Sequence, residues 1–457
     1  MTPPPTPPRS ARVAAGISLA AVILALITLI VLLADDAPYL FGATLCLTVG
    51  VPLAWLAATS HRGRIPLWVL SALLMIGGLS LLFIANRSIF WLGALTVEVA
   101  VMAWSGGRAM HWELRAIVAR RWAPAPAAQR PVLFINPKSG GQKAERFHLV
   151  DQCRRRGIEP VVLAEGDDLA ALARAAVDRG ADVIGMAGGD GSQAVVASVA
   201  AEHDIGFVCV PSGTRNHFAL DVGVNRRDVV GALDAFGSAR EARIDMAEAN
   251  DRVFLNNVSL GIYAEIVSSD GYRNAKFRTV SKMLPELLGP DSKPFDLRIE
   301  SPDGEAVVGI HLVLVSNGPY QLDRLGALGS RIRLDTGELG VAVLTLESPA
   351  DVPAFIALEA AGRANRFEGW REWTAATVVA LSDEPVAAGV DGEALEFDPP
   401  LTFRIRPGAL RVRISRRHPG VSPAARRPGI GRSTVVGLTR ILRGQPSGLI
   451  DDGVAPH

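Results

Sequence analysis

Val183-Ile184-Gly185-Met186-Ala187-Gly188-Gly189-Asp190-Gly191-Ser192, followed by Phe207-Val208-Cys209-Val210-Pro211-Ser212-Gly213-Thr214-Arg215-Asn216-His217-Phe218-Ala219, decides the reading of this chain. Each segment is a short apolar run that ends in a turn of Gly, Ser or Thr. Such a run, bounded by turn residues, reads as a buried strand. Glycine lets the backbone approach a phosphate closely, and free N–H groups at the start of a following helix point at an anion. Two such turns at successive strand ends are what a polyphosphate site needs. The chain is therefore expected to bind a nucleotide.

Outward from these turns, strand and helix alternate. Val132 to Ile135 is an earlier apolar run, ended by Asn136-Pro137-Lys138-Ser139-Gly140-Gly141. Glu145 to Arg156 reads as a helix, Pro160 to Leu163 as a strand, Asp168 to Arg179 as an alanine-rich helix and Gln193 to Glu202 as the helix after the glycine turn. This alternation implies a parallel three-layer α/β domain over 131–242, with ligands at the carboxyl ends of its strands. After about Arg243 the pattern changes to short β-rich runs separated by Gly, Asp and Pro. They are Val253 to Asn256, Phe295 to Ile299, Ala306 to Ser316, Leu339 to Leu346, Thr377 to Ser382, Ala394 to Phe397 and Leu401 to Arg406. Ala275 to Leu288 and Pro349 to Ala364 are the helical candidates there. Residues 243–417 thus read as a second, largely antiparallel β-rich domain, a sandwich, with the site in a cleft between the two domains. Residues 418–457 are rich in Pro, Gly and Arg and read as a basic, mostly disordered tail. One amphipathic piece within it, Thr434 to Arg443, suits anionic lipid.

The first 110 residues carry the excess of apolar side chains. Val13 to Ala34, Tyr39 to Ala58 and Ile65 to Ala85 are each about 20 residues, enough to cross roughly 30 Å of hydrocarbon as helix. Ile89 to Trp104 is a shorter fourth run that contains Glu98, expected to pair with a neighbouring helix or to snorkel. Arginines precede the first run, lie between the second and third, and follow the fourth, so the positive-inside rule turns both ends of a four-span region to the cytoplasm. Trp104 to Trp122 reads as a separate juxtamembrane helix at headgroup level, and Ala123 to Ala128 as a short stiff linker closing residues 111–130.

The 457 residues allow two or three domains, and a formal net charge of +1 gives no reason to expect nucleic acid. Cys46, Cys153 and Cys209 form no C-x-x-C pair, which argues against a disulfide framework or a structural zinc site.

Taken together, Asn136-Pro137-Lys138-Ser139-Gly140, Gly188-Gly189-Asp190-Gly191-Ser192, Pro211-Ser212-Gly213-Thr214-Arg215-Asn216, Asn256-Asn257-Val258-Ser259-Leu260-Gly261 and Asp391-Gly392-Glu393 resemble the diacylglycerol kinase catalytic-domain family. That family of lipid kinases includes sphingosine kinases and bacterial membrane lipid kinases, and it shares its nucleotide fold with NAD kinases. The resemblance spans roughly Pro131 to Ser415. It implies ATP, Mg2+ and a membrane lipid hydroxyl as acceptor, with the enzyme in a bacterial cell membrane and its catalytic region cytoplasmic. Asn136 to Gly140 and the glycine turn would cradle ATP, with Gly213, Thr214 and Asn216 closing the pocket. Asp190 would join a metal and phosphate network with Asp245, or else cap the next helix. Glu393 would accept the proton of the lipid hydroxyl, with Asp391 beside it on metal or substrate.

Several positions depart from the family pattern. Ala194 and Val195 stand where Asn-Glu is common, Ala164 where a threonine is common, and His217 where an Asp follows the asparagine. The segment of the family's structural magnesium reads Asp335-Thr336-Gly337-Glu338, so Thr336 replaces an Asp, and Arg333 and Glu338 would supply carbonyls. These departures motivate an alternative, a membrane-anchored nucleotide-binding sensor without catalysis. NAD kinase is a third reading, disfavoured because a soluble acceptor gives no reason for four spans.

Overall fold

The computed structural model describes residues 6–35, 37–59, 64–84, 86–261, 294–321, 330–348, 351–360, 363–422 and 432–448. The chain divides into two compact units, 1–116 with 428–450 and 117–427 with 451–457.

The first unit is helical: α1 (Arg9–Asp35), α2 (Ala37–Thr59), α3 (Arg64–Ile84) and α4 (Asn86–Arg121). By length and composition Arg9–Leu32 and Phe90–Arg121 could cross a membrane, while α2 and α3 carry the shorter apolar stretches Phe41–Ala54 and Ile65–Leu81. Ile23, Ile30, Phe41, Ile76, Phe90 and Val97 face outward, an apolar surface out of keeping with water. Polar side chains join the helices. Ser18 Oγ donates to the Met102 carbonyl (3.0 Å), Ser71 Oγ to the Gly50 carbonyl (2.9 Å), and Thr28 Oγ1 to Glu98 Oε1 (3.0 Å). Glu98 is thus held by a neighbouring helix.

Two expectations for this unit change. No separate juxtamembrane helix follows the fourth run, because no proline interrupts it; α4 continues for 36 residues. Its tryptophans differ in exposure, Trp104 being 66% exposed and Trp112 only 8%. The tail is ordered where it is described. A helix over Arg432–Leu442 buries Leu438 and Ile441 against Ala11, Ala15, Ala109 and Trp112. Glu113 Oε1 then accepts the Ser447 N–H (3.0 Å), and Arg12 Nε donates to the Leu442 carbonyl (3.2 Å). The amphipathic pattern finds an apolar partner in the helices instead of remaining solvated.

In the second unit β1 (Ala123–Ala125) is a strand in place of the stiff linker. Buried runs form β2 (Pro131–Ile135), β4 (Val183–Ala187) and β5 (Gly206–Val210), and a partly exposed edge strand forms β3 (Glu159–Val162), all parallel in the order β5-β4-β2-β3. The helix expected over Glu145 to Arg156 is split into α5 (Lys143–Arg146) and α6 (Leu149–Arg155) by His148, whose φ of 49° no helix tolerates. α7 (Leu169–Asp178) starts at Asp168, whose carboxylate accepts the Ala171 N–H (3.0 Å). α8 (Asp190–Glu202) begins inside the glycine turn, and α9 (His217–Asp221) and α10 (Val229–Ala232) follow.

The β-rich region comprises β6 (Ala239–Ala249), β7 (Arg252–Phe254), β8 (Asn257–Gly261), β9 (Arg298–Glu300), β10 (Ala306–Val307), β11 (Ile310–Ser316), β12 (Tyr320–Gln321), β13 (Ser330–Arg331), β14 (Leu339–Thr345), α11 (Asp351–Ala360), β15 (Trp370–Ala375), β16 (Thr377–Leu381), β17 (Val386–Val390), β18 (Glu393–Phe397) and β19 (Leu401–Ser415). The helix candidate Ala275 to Leu288 lies outside the described residues. One antiparallel sheet runs β15-β14-β11-β8-β17-β18. It shares a core with β6, β7, β9, β16 and β19: Phe254, Ile299, Val378 and Phe403 meet Val258, Val313, Val343 and Val390. Each fully buried side chain of this kind contributes roughly 1.5–3 kcal/mol.

β19 does not stop at Arg406. It bulges between Arg406 and Leu410, pairs antiparallel with β6 along its length, and lies parallel to β5 from Arg411 to Arg413. One strand therefore completes both the β-rich region and the α/β sheet, and so fixes the acidic turn before β18 relative to the glycine turn after β4.

Candidate active site

β4 and β5 are neighbours with Ala187 opposite Val210, so their two glycine turns leave the sheet side by side. A Cβ on Gly213 would come within 2.7 Å of Gly189 Cα and 2.9 Å of the Gly188 carbonyl, a backbone-to-backbone approach that glycine permits. Gly140, at φ 58°, would drive a Cβ into the Ser212 carbonyl. Asn136 N–H donates to the Ala187 carbonyl (2.9 Å), its side chain accepts the Lys138 N–H (3.0 Å), and its own carbonyl accepts from Ser139 N (3.3 Å). The turn 136–141, with half-buried Pro137, thus joins the other two. Asn216 sits at φ 52° and donates through Nδ2 to the carbonyls of Gly213 (2.8 Å) and Pro211 (3.3 Å). Ser192 lies in the first turn of α8 against Gly188, and Thr214 is exposed at the tip of its turn. Open space surrounds the place where a side chain on Gly189 would go. Three turns therefore converge at the ends of β2, β4 and β5, with open space beside Gly189.

Asp190 links two of these turns. Its carboxylate accepts the N–H groups of His217 (3.1 Å) and Phe218 (3.3 Å), so it caps α9 and not the helix it begins. Position 217 contributes its backbone N–H whatever its side chain. Burial lowers the His217 pKa, against the charges of Asp190 and Asp221, and keeps the imidazole neutral.

Lys138 points away from the turns, its ammonium on Glu165 (2.8 Å) with both groups exposed. The cation at the site is one the sequence reading passed over. Lys143 Nζ donates to the Gly213 carbonyl (2.7 Å), and burial, then Arg146 and Arg226, lowers its pKa. Its position three residues after Gly140 was the available signal. Gln193 was also passed over; its Nε2 bridges the carbonyls of Met186 (3.0 Å) and Val210 (3.2 Å), clamping the ends of β4 and β5.

The Asp391-Gly392-Glu393 turn reaches this place. A Cβ on Gly191 would run into the Glu393 carboxylate, so that side chain stands directly over the glycine turn. Glu393 is 52% exposed and faces Arg252 Nη2 at 3.4 Å. Asp391 is held inward instead. At φ 48° it accepts the N–H groups of Leu255 (2.9 Å), Asn256 (2.8 Å) and Asn257 (3.2 Å). Burial pushes its carboxyl up to about 7, the charge of Asp190 adds to this, and the three N–H groups oppose it. Asp391 is therefore an anchor for the 255–257 segment, while Glu393, half exposed and paired with Arg252, stands over the glycine turn.

Beneath that segment lies Arg331, fully buried and part of no recognisable motif. It pairs with Asp221 (2.7 Å), donates to the carbonyls of Leu255 and Asn317 (2.7 Å each), and lies over the Tyr320 ring at 5.4 Å. One guanidinium thus joins the end of α9, whose start Asp190 caps, to the segment that holds Asp391.

Asp245 and Thr336 lie with other partners. The Asp245 carboxylate accepts Gly337 N–H (2.7 Å) and Gly408 N–H (2.8 Å), and burial raises its pKa. Asp335 is gripped by Arg333 through Nε (2.7 Å) and Nη2 (3.0 Å), with Arg121 at 3.9 Å. Thr336 Oγ1 donates to the Glu338 carbonyl (3.3 Å). A guanidinium fills the carboxylate's face where a cation would sit, so this donor set does not fit a structural magnesium. Among the described residues no group of three His, Cys, Asp or Glu could hold a metal ion.

Residues 130–249 match the family model described as the diacylglycerol kinase catalytic domain. The chain is 28% identical over 303 residues to a probable lipid kinase YegS-like protein of Cronobacter sakazakii, covering 62% of this chain and 95% of that protein. It is 31% identical over 197 residues to a diacylglycerol kinase of Mycobacterium tuberculosis, covering 40% of this chain and 63% of that protein. A crystal structure of a candidate diacylglycerol kinase from Bacillus anthracis superposes with TM-score 0.51 at 21% identity, covering 64% of this chain and 97% of that one, a likeness of fold. These matches liken residues 130–249 to the diacylglycerol kinase catalytic domain, among relatives named as lipid kinases and diacylglycerol kinases.

Proposed function

We propose that this chain is a lipid kinase of the diacylglycerol kinase type, which transfers the γ-phosphoryl group of ATP to the hydroxyl of a diacylglycerol-like membrane lipid. The observation that carries the reading is the Glu393 carboxylate standing over Gly191. It brings a proton acceptor to a turn whose backbone is suited to phosphate. The turns at 136–140, 188–192 and 211–216 receive the phosphates through backbone N–H groups. Mg2+, arriving with ATP, supplies charge neutralisation on the phosphates. The lipid hydroxyl oxygen forms a bond to the γ-phosphorus, the bond from that phosphorus to the β,γ-bridging oxygen breaks, ADP leaves, and the hydroxyl proton passes to Glu393. Asp391 and Arg331 orient the segment beside that carboxylate. Lys143 adds positive charge near Gly213.

Two of the changes behind the sensor alternative, at positions 217 and 194, leave this arrangement standing. Position 217 acts through its N–H, and Ala194 is buried within α8. The apolar helices of the first unit support an integral membrane protein, which suits an acceptor that resides in the bilayer.

The test is transfer of label from γ-labelled ATP into total lipid by membranes carrying the intact chain, Glu393→Ala or Gly189→Asp. The aspartate would enter the open space at Gly189 and repel phosphate. A labelled lipid lost in both variants supports the reading and identifies the acceptor. A labelled lipid that persists undiminished in Glu393→Ala removes the assigned base.

A further inference from the structure

We propose that the first unit carries a binding site for the headgroup of an anionic glycerophospholipid, between the start of α1 and the second half of α4. A cleft of about 540 Å³ opens there. Ala11 lines it from α1, and Trp104, Arg108, His111, Trp112 and Arg115 line it from α4. The spacing of the five α4 residues, steps of three or four with Trp112 beside His111, sets them on one face of the helix. Among the described residues no acidic one lines the cleft. Glu113, next to Trp112 in sequence, is buried and engaged by the Ser447 N–H.

One unsatisfied group points to a missing ligand. Trp112 is only 8% exposed, and its indole Nε1 has no hydrogen-bond partner. A buried donor without an acceptor is uncommon and unfavourable. Arg108 is held over the Trp104 ring at 5.6 Å, which pre-positions a guanidinium beside the same cleft. Two guanidiniums and an orphan N–H ask for an anion with several oxygen acceptors, which a phosphate group supplies.

The surroundings favour a lipid over a free ion. Val13 and Ile17 on α1, and Val97 and Val101 on α4, are exposed apolar residues on the parts of those helices that lead away from the cleft into the apolar stretches. They suit acyl chains hanging below a bound headgroup. A basic pocket between membrane helices, at the end where arginines gather, is a known physical solution to binding such headgroups. This inference rests on the membrane placement proposed above and not on phosphoryl transfer.

The experiment uses the full chain in a neutral detergent and follows its unfolding temperature, with apparent affinity from titration. The probes are dioctanoyl phosphatidylglycerol, dioctanoyl phosphatidylcholine and inorganic phosphate. Phosphatidylglycerol is expected to raise the unfolding temperature, with the other two at matched concentration giving little change. Trp112→Phe keeps the ring and removes the donor, and should weaken the phosphatidylglycerol affinity by about tenfold. Arg108→Gln with Arg115→Gln should abolish the shift. Should the double variant fail to fold, Trp112→Phe alone still decides. Equal stabilisation by phosphatidylcholine would mean an apolar groove without headgroup recognition, and equal stabilisation by phosphate a free-anion site; either overturns the proposal. So would unchanged affinity in Trp112→Phe. Alkaline carbonate extraction of the membranes reports separately on membrane placement, and label transfer separately on the kinase reading.

Discussion

Two acidic turns of this chain, Asp391-Gly392-Glu393 and Asp335-Thr336-Gly337-Glu338, look alike as sequence and are built to different ends. At the first, three backbone N–H groups take Asp391 inward and leave Glu393 facing the glycine turn. At the second, Arg333 grips the aspartate through two nitrogens and Arg121 stands near. The difference lies in what faces the carboxylate. Three neutral backbone donors hold the aspartate of the first turn, whereas a close guanidinium neutralises the aspartate of the second. A turn motif therefore tells where an acid lies, and its partners tell what it can do.

The largest expected effect that tests this contrast is on turnover. Glu393→Ala should lower phosphoryl transfer by about 10²- to 10⁴-fold with the unfolding temperature almost unmoved, because the side chain is half exposed. Gly191→Ala should also depress turnover by displacing that carboxylate; full activity in this variant would separate the two turns and break the comparison. Next comes Arg331→Met, which strands buried Asp221 and should cost about 3–5 kcal/mol in denaturant unfolding. Adding Asp221→Leu should recover a large part of that loss. Without recovery, the ion pair is not what the arginine supplies.

A pH series sharpens the first turn. Asp391, pushed from 3.8 to about 7, holds its proton more tightly when folded. Its contribution to stability is full below about pH 3.8 and is lost as pH rises through about 7. The stability of the wild type relative to Asp391→Asn should therefore decline across that window. An advantage that grows with pH would mean the three N–H groups outweigh burial. The smallest effect concerns the second turn: Arg333→Ala should cost about 1 kcal/mol or less, since the pair is only partly buried. A chelator should leave the unfolding temperature of the nucleotide-free wild type unchanged. A clear drop on chelation would restore a structural cation and erase the contrast.

The parts of this architecture that follow from local pattern were legible in the sequence. β2, β4 and β5 are runs buried along their whole length and ended by turn residues, and such runs announce themselves. The parts that escaped depend on distant partners. Arg331 shows no motif, because its role comes from Asp221 and from carbonyls about 75 residues earlier. Lys138 carries the family signature, yet its ammonium turns to Glu165, and Lys143 occupies the place by Gly213. The helix break at His148 rests on a single left-handed residue. The helix Arg432–Leu442 was read as tail because its apolar side has no partner nearby in sequence; Ala11, Ala15 and Ala109 supply one.

The length of β19 has a consequence for synthesis. The sheet that presents the glycine turns gains its strand beside β5 only from Arg411 to Arg413, some two hundred residues after the turns themselves have been made. At ordinary rates of translation the ribosome needs roughly 10 to 40 s to deliver that strand. Throughout that interval the emerging α/β region exposes an open β-edge beside β5, a template for pairing with any other extended chain. A fragment ending near residue 249 would never escape that condition, so the α/β region matures only as a late event in the life of the nascent chain.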